Sequence, residues 1–237
     1  MTQVFEHIPH VERKVFKRTT MNEISVFLSF APLSLASKFK DLKALDLDFE
    51  AILIPSDNAD ISKSELITYK DKDIAVSLLS TGILVNVPTT DYRDFKTTDF
   101  AWNHLEDVMR AMKIEPAAWV FTKGNRFVFT QPLTGEEQRE EALKMILSED
   151  YLSLASTNCL FFEDSIDKTR LFSCRYGFEK YNGKDALGLK FMIASQSYSV
   201  NGLCEQVMET NSLLFDGWHW VMNDKMLDFL DKPKGSV

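Results

Sequence analysis

Arg175 and Lys190 stand in the setting of this sequence that points most directly to chemistry. In "RLFSCRYGFE" the residues Phe172, Cys174, Tyr176 and Phe178 fall on alternate positions, and in "ALGLKFMIAS" Leu187, Leu189, Phe191 and Ile193 do the same. Successive side chains of a strand point to opposite faces, so each stretch reads as a strand with one buried face. The other face then carries Ser173, Arg175, Gly177, Gly188, Lys190 and Met192. That is a patch of small residues around two cations, suited to an anionic substrate or to a partner's acid. The simpler alternative is an exposed sheet face with ordinary charges.

The other reactive residue types form no such grouping. In "DLDFE", Asp46, Asp48 and Glu50 alternate and could meet a divalent cation on one strand face, but the spacing is not that of a calcium loop and a solvated strand edge explains it. Glu163, Asp164 and Asp167 fall at a hairpin tip, where short polar side chains bond locally. The histidines His7, His10, His104 and His219 have no paired spacing; His7 and His10 read as part of a mobile N-terminus. The cysteines Cys159, Cys174 and Cys204 show no ligand spacing and read as buried thiols of a reduced compartment. Nucleophile-elbow, P-loop and dinucleotide-binding patterns are missing. No catalytic residue, metal or cofactor is expected.

"FDGWHWVMNDKML", Phe215 to Leu227, concentrates two tryptophans, a histidine and an Asn-Asp pair. Leu203, Val207, Leu214, Trp218, Val221 and Met222 follow helical spacing, widened by Cys204, Met208 and Phe215. Trp218 is therefore core, while Trp220 lies about 200° round the helix and reads as an exposed or interface residue. Position 222 is Met and 223 is Asn, so His219 has no metal partner one turn on. Asn223 reads as the N-cap of a last short helix, and Gly217 as a place where another element approaches closely or the helix bends.

The elements that must position these residues follow from periodicity. "EISVFLSF", "FEAILIP", "ELITYK", "DIAVSLLS", "ILVNVP", "AAWVFTKGNRFVFT" and "STNCLFFE" read as strands. The short linkers among the third to fifth of these require antiparallel neighbours. Gly124-Asn125 reads as a hairpin turn. Helices are expected over 34–45, 99–113, 135–148 and 202–222. Ser34 caps the first, Thr98 or Asp99 the second, and Thr134 with Glu137 forms a capping box on the third.

Each half thus runs strand, helix, three or four antiparallel strands, helix. The expected fold class is α+β, with two architecturally similar halves, each a curved, mainly antiparallel sheet with helices on one face. The halves are 1–115 and 116–237, packed as one continuous unit with the boundary near Glu115-Pro116. The 237 residues allow that size.

The 18 phenylalanines imply an aromatic core, and the net charge of -8 argues against general nucleic-acid binding. "ERKVFKR", Glu12 to Arg18, is the most basic stretch but is short and bordered by acids. No apolar run is long enough to span a bilayer and no signal peptide is evident, so a cytoplasmic location without membrane association is expected.

"GILVNVPTTDYRDF", with Val85-Asn86 and then Tyr92-x-x-Phe95, and "WHWVMNDKMLDFL", with Asn223-Asp224 in the place of a Thr–acid helix start, resemble a sporadically distributed bacterial family of uncharacterised proteins. The resemblance implies a fold and carries no activity. The expected function is a non-enzymatic binding or adaptor protein of a bacterial cytoplasm, its partner another protein or a second copy of itself, with Arg175, Lys190 and Trp220 as binding residues. The alternative is an enzyme with a dispersed site, holding an anionic substrate near Arg175 and Lys190 with an acid such as Glu163 or Asp164.

Overall fold

A computed structural model describes residues 8–12, 16–18, 21–46, 49–52, 66–71, 74–87, 99–154, 159–163 and 170–233. The chain is α+β. Its first elements are β1 (Met21–Phe30), α1 (Leu35–Lys43), β2 (Phe49–Ile52), β3 (Leu66–Asp71), β4 (Ile74–Leu79), β5 (Gly82–Val87) and α2 (Asp99–Met112). Then come β6 (Pro116–Val128), α3 (Glu136–Ile146), α4 (Glu149–Leu154), β7 (Cys159–Glu163), β8 (Arg170–Tyr181), β9 (Lys184–Ser195), α5 (Leu203–Val221) and α6 (Asp224–Asp231).

Among the described residues, nine strands make one sheet in the order β2-β3-β4-β5-β1-β6-β9-β8-β7. Every neighbouring pair is antiparallel. The meander β2 to β5 ends by pairing with β1, the meander β7 to β9 ends by pairing with β6, and β1 joins β6 at the centre.

Alternation sets which face is covered. Ile24, Val26 and Leu28 of β1, Ile83 and Val85 of β5, Trp119 and Phe121 of β6 and Leu189, Phe191 and Ile193 of β9 are buried on one side. α5 lies on β6, β8 and β9, with α2 beside it. Rings reached from α2, α3 and α4 (Tyr69, Phe178 and Tyr176) belong to the same side. Lys123 and Asn125 also turn inward here, and both are buried.

α5 is the centre of the helical layer, and Leu214, Phe215, Asp216, Gly217 and Trp218 are buried in succession. A helix buried all round needs cover on its outer side too. Residues 8–12 and 16–18, before β1, supply it, as a strap. His10 Nδ1 is 3.0 Å from Asp216 Oδ2, and the backbone N–H of Val11 donates to Asp216 Oδ1 at 3.2 Å. Phe16 meets Trp218 edge-on at 5.2 Å. Arg18 donates to the carbonyls of Leu230, Lys232 and Pro233 and lies over the Phe229 ring. The expectation of a mobile N-terminus is thus corrected at His10, because the buried Asp216 carboxylate needs those donors. His7 lies outside the described residues.

Two caps are where the sequence put them. Ser34 accepts from the N–H of Ser37, and Asn223 accepts from the N–H of Lys225 at 2.9 Å. α2 begins at Asp99, while Thr98 lies outside the described residues. The third helix differs from expectation. It starts at Glu136 with Gly135 as N-cap, and Gln138 rather than Glu137 reaches back to Thr134. It ends at Ile146, where Leu147 bridges to Met222, and α4 starts afresh.

Gly124-Asn125 is not a turn. β6 runs unbroken through both residues. The tight turn of this half is Asn182-Gly183, between β8 and β9, where φ is 49° and 78°; Ser80-Thr81 joins β4 to β5. Two successive positive φ values are those of a type I′ turn, which matches the twist of the flanking strands and which Asn-Gly adopts at least cost.

Candidate functional site: the open face of β6, β9 and β8

The Asn182-Gly183 turn fixes the register of β8 on β9, and so which side chains meet. Arg175 is directly opposite Lys190, and Gly177 is opposite Gly188. On the other edge of β9, Gly124 of β6 faces Lys190 and Arg126 faces Gly188. Two rows result across the three strands: Gly124–Lys190–Arg175, and Arg126–Gly188–Gly177. All six belong to the face turned away from α5.

The glycines make this face hollow. A Cβ at Gly124 or Gly177 would find nothing within 4 Å, and one at Gly188 would touch only the Glu179 carboxylate, at 3.2 Å. The resulting concavity has a volume of about 630 Å³, with Ser25 and Thr122 also on its wall. That is within the usual size of a small-molecule site.

Its charges are of two kinds. Arg126 is engaged: its Nε donates to Glu179 Oε1 and its guanidinium lies 4.3 Å from the Tyr181 ring centre. The hydrogen bond to Glu179 pushes the Arg126 pKa up. Arg175 and Lys190 are exposed and make no hydrogen bond or ion pair among the described residues. Like charges placed directly opposite in an antiparallel pair repel one another. Among the described residues, the face therefore holds two uncompensated positive charges beside a neutralised one.

The remaining candidates are scattered. Trp220 sits in the helical layer, half-buried and edge-on to Tyr151 at 6.1 Å, so its own chain covers much of the ring expected to be exposed. Trp218 is buried, against Phe215 and Phe16. At Gly217 the helix meets the sheet, for a Cβ there would collide with the Phe172 ring. His219 is half-buried and tilted on Phe215, and His104 is half-buried against Tyr69.

Cys174 is buried and Cys204 is half-buried. Asp46 ends the turn after α1. Asp48, Asp164 and Asp167 lie outside the described residues, as do the side chains of Glu50, Cys159 and Glu163. Among the described residues no group of three or more His, Cys, Asp or Glu side chains could hold a metal ion, and no helix is long and apolar enough to cross a membrane.

Sequence reasoning singled out Arg175, Lys190, Gly177 and Gly188. It missed Gly124 and Arg126, which complete the site from β6. Their signal was the alternation Trp119, Phe121, Phe127, which runs on through Gly124-Asn125 without a break of phase. In comparisons by sequence, no family model and no curated protein matches this chain.

Proposed function

We propose that this protein is a non-enzymatic binding module of adaptor type, and that the open face of β6, β9 and β8 receives an anionic group of its partner, another protein. The observation that carries this reading is the Arg175–Lys190 pair. Two cations stand directly opposite each other on the wall of the hollow, with no ion-pair partner among the described residues. Such a pair costs stability, so a ligand that supplies the missing charge accounts for it. An enzyme reading needs an available acid or base in the same hollow; among the described residues the carboxylate on its wall, Glu179, is held by Arg126, while the acids named for that reading, Glu163 and Asp164, lie outside the described side chains. A net charge of -8 over the whole chain makes this basic spot a local feature, directed at one group and not at a polyanion.

The proposal includes the organisation that builds the face. The strand order supports reading the chain as two similar halves, 1–115 and 116–237. In each, a first strand is followed by helix, then by a meander that returns to that strand, then by helix again, with one helix at each place in the first half and two in the second. Placement with the sporadic bacterial family, and in a bacterial cytoplasm, belongs to the same proposal.

The test is comparative capture from a bacterial lysate by the wild type and by an Arg175→Glu/Lys190→Glu double variant. A protein retained by the wild type, released by moderate salt and reduced about tenfold or more by the double variant supports the reading. Equal capture by both proteins overturns it.

A further inference from the structure

Resting on that reading of the open face, we infer that the group bound between Arg175 and Lys190 is a phosphomonoester dianion and not a single carboxylate. The charge count is the first reason. Arg126 is neutralised by Glu179, which leaves two positive charges among the described residues, on side chains directly opposite each other. A phosphomonoester carries about -1.5 to -2 near pH 7, which matches; a carboxylate leaves one cation uncompensated.

Geometry is the second reason. Cβ atoms of directly opposed residues lie about 4.5–5.5 Å apart, so both cationic heads can converge on one group. A guanidinium fork occupies two oxygens side by side, and an ammonium is a point donor that takes a third. Three terminal oxygens on one centre satisfy both residues together. The space for that centre exists, since Gly177 shares the face with Arg175, Gly124 faces Lys190, and side chains at both would meet open volume.

A third feature separates this site from phosphate cradles made of loop backbone. Here the main chain is part of the ladder joining β6, β9 and β8, so side-chain charge must supply the attraction. Reversing one charge therefore has two effects with opposite signs: it relieves the cross-strand repulsion and it removes the ligand. A merely structural cation pair would not link them.

The experiment measures binding and thermal unfolding of the wild type, Arg175→Glu and Lys190→Glu at constant ionic strength. The probes are phenyl phosphate, benzoate, a phosphoserine peptide and the same peptide with unmodified serine. Phenyl phosphate is expected to bind the wild type about tenfold or more tightly than benzoate, and to raise its Tm. Each variant is expected to bind it about tenfold more weakly, while melting no lower than the wild type without ligand. Wild-type binding should weaken as pH falls through about 6, where the phosphomonoester loses its second charge.

Tighter binding of the phosphoserine peptide than of phenyl phosphate assigns the dianion to a modified protein, and equal binding assigns it to a small molecule; both support the inference. Equal affinity for benzoate and phenyl phosphate, lost in both variants, overturns the dianion but leaves an anion site standing. Phenyl phosphate binding that survives both substitutions unchanged overturns the inference and the site together.

Discussion

β8 has two unlike faces. Toward the helices it presents Phe172 and Cys174, which are buried, then Tyr176 and Phe178, which pack at the core's margin. Away from them it presents Ser173, Arg175, Gly177 and Glu179, of which the last three are exposed. One backbone serves both, so its extended conformation cannot explain the difference. The inner face is over-determined: Phe172 is held by Phe191 and by the absence of a side chain at Gly217. On the outer face the charges of Arg175 and Lys190 oppose each other, and folding alone gives no reason to keep them.

Substitutions can break or sharpen that contrast. The largest effect is expected in the helical layer, where Trp218→Ala should cost about 3–5 kcal/mol in denaturant unfolding, as for a core aromatic. Its neighbour His219, half-buried, should cost on the order of 0.5 kcal/mol when changed to Ala. Comparable losses at both positions would mean that the helix is not centred as described.

Next is Gly217→Ala. A methyl there must displace the Phe172 ring, at a cost of about 1–3 kcal/mol despite the better helix propensity of Ala. Phe172→Leu in the same chain should recover part of that loss, and the double-mutant cycle measures the coupling. Simple additivity would show that helix and sheet are not in contact at this point.

Asn223→Ala should cost about 1 kcal/mol, since it removes the acceptor for the Lys225 N–H at the start of α6. Asn223→Asp keeps that acceptor but loses the donation from Nδ2 to the Lys144 carbonyl at 3.2 Å, so it should recover only part of the loss, and chemical denaturation of the three proteins decides this.

The smallest effect has the opposite sign. Lys190→Glu should raise stability by about 0.2–1 kcal/mol, by turning a repelling cross-strand pair into an attracting one. Destabilisation by that substitution would show that Lys190 has a structural task and that the two faces differ less than their chemistry suggests.

The inner face was the legible one. Period-two runs in β8 and β9 assigned each side chain to its face, and the stripe through Val207, Leu214 and Trp218 identified a buried helix. Packing writes its demands at a regular period, which is why they can be read without coordinates. The outer face was legible only in part. Arg175 and Lys190 could be placed on one surface, but their neighbours on β6 could not, because Gly124-Asn125 imitates a turn. What separates it from the real turn at Asn182-Gly183 is context. The former lies in phase within an alternating strand, and the latter joins two strands and takes positive φ at both residues. The strap was not legible at all. Its anchor is a hydrogen bond between residues 206 positions apart, His10 and Asp216, and no local period encodes such a contact. Trp220 shows the same limit, for the Tyr151 ring that covers it arrives from another element.

The strap also sets an order of events on the ribosome. β1 is at the heart of the sheet, yet the segment leading into it docks on α5 and on the carbonyls of Leu230 to Pro233. A nascent chain that has made both central strands still has His10, Val11, Phe16 and Arg18 without their partners, because α5 and the residues after it have not been synthesised. These contacts form late, and until then His10, Val11, Phe16 and Arg18 stay open to proteases and chaperones.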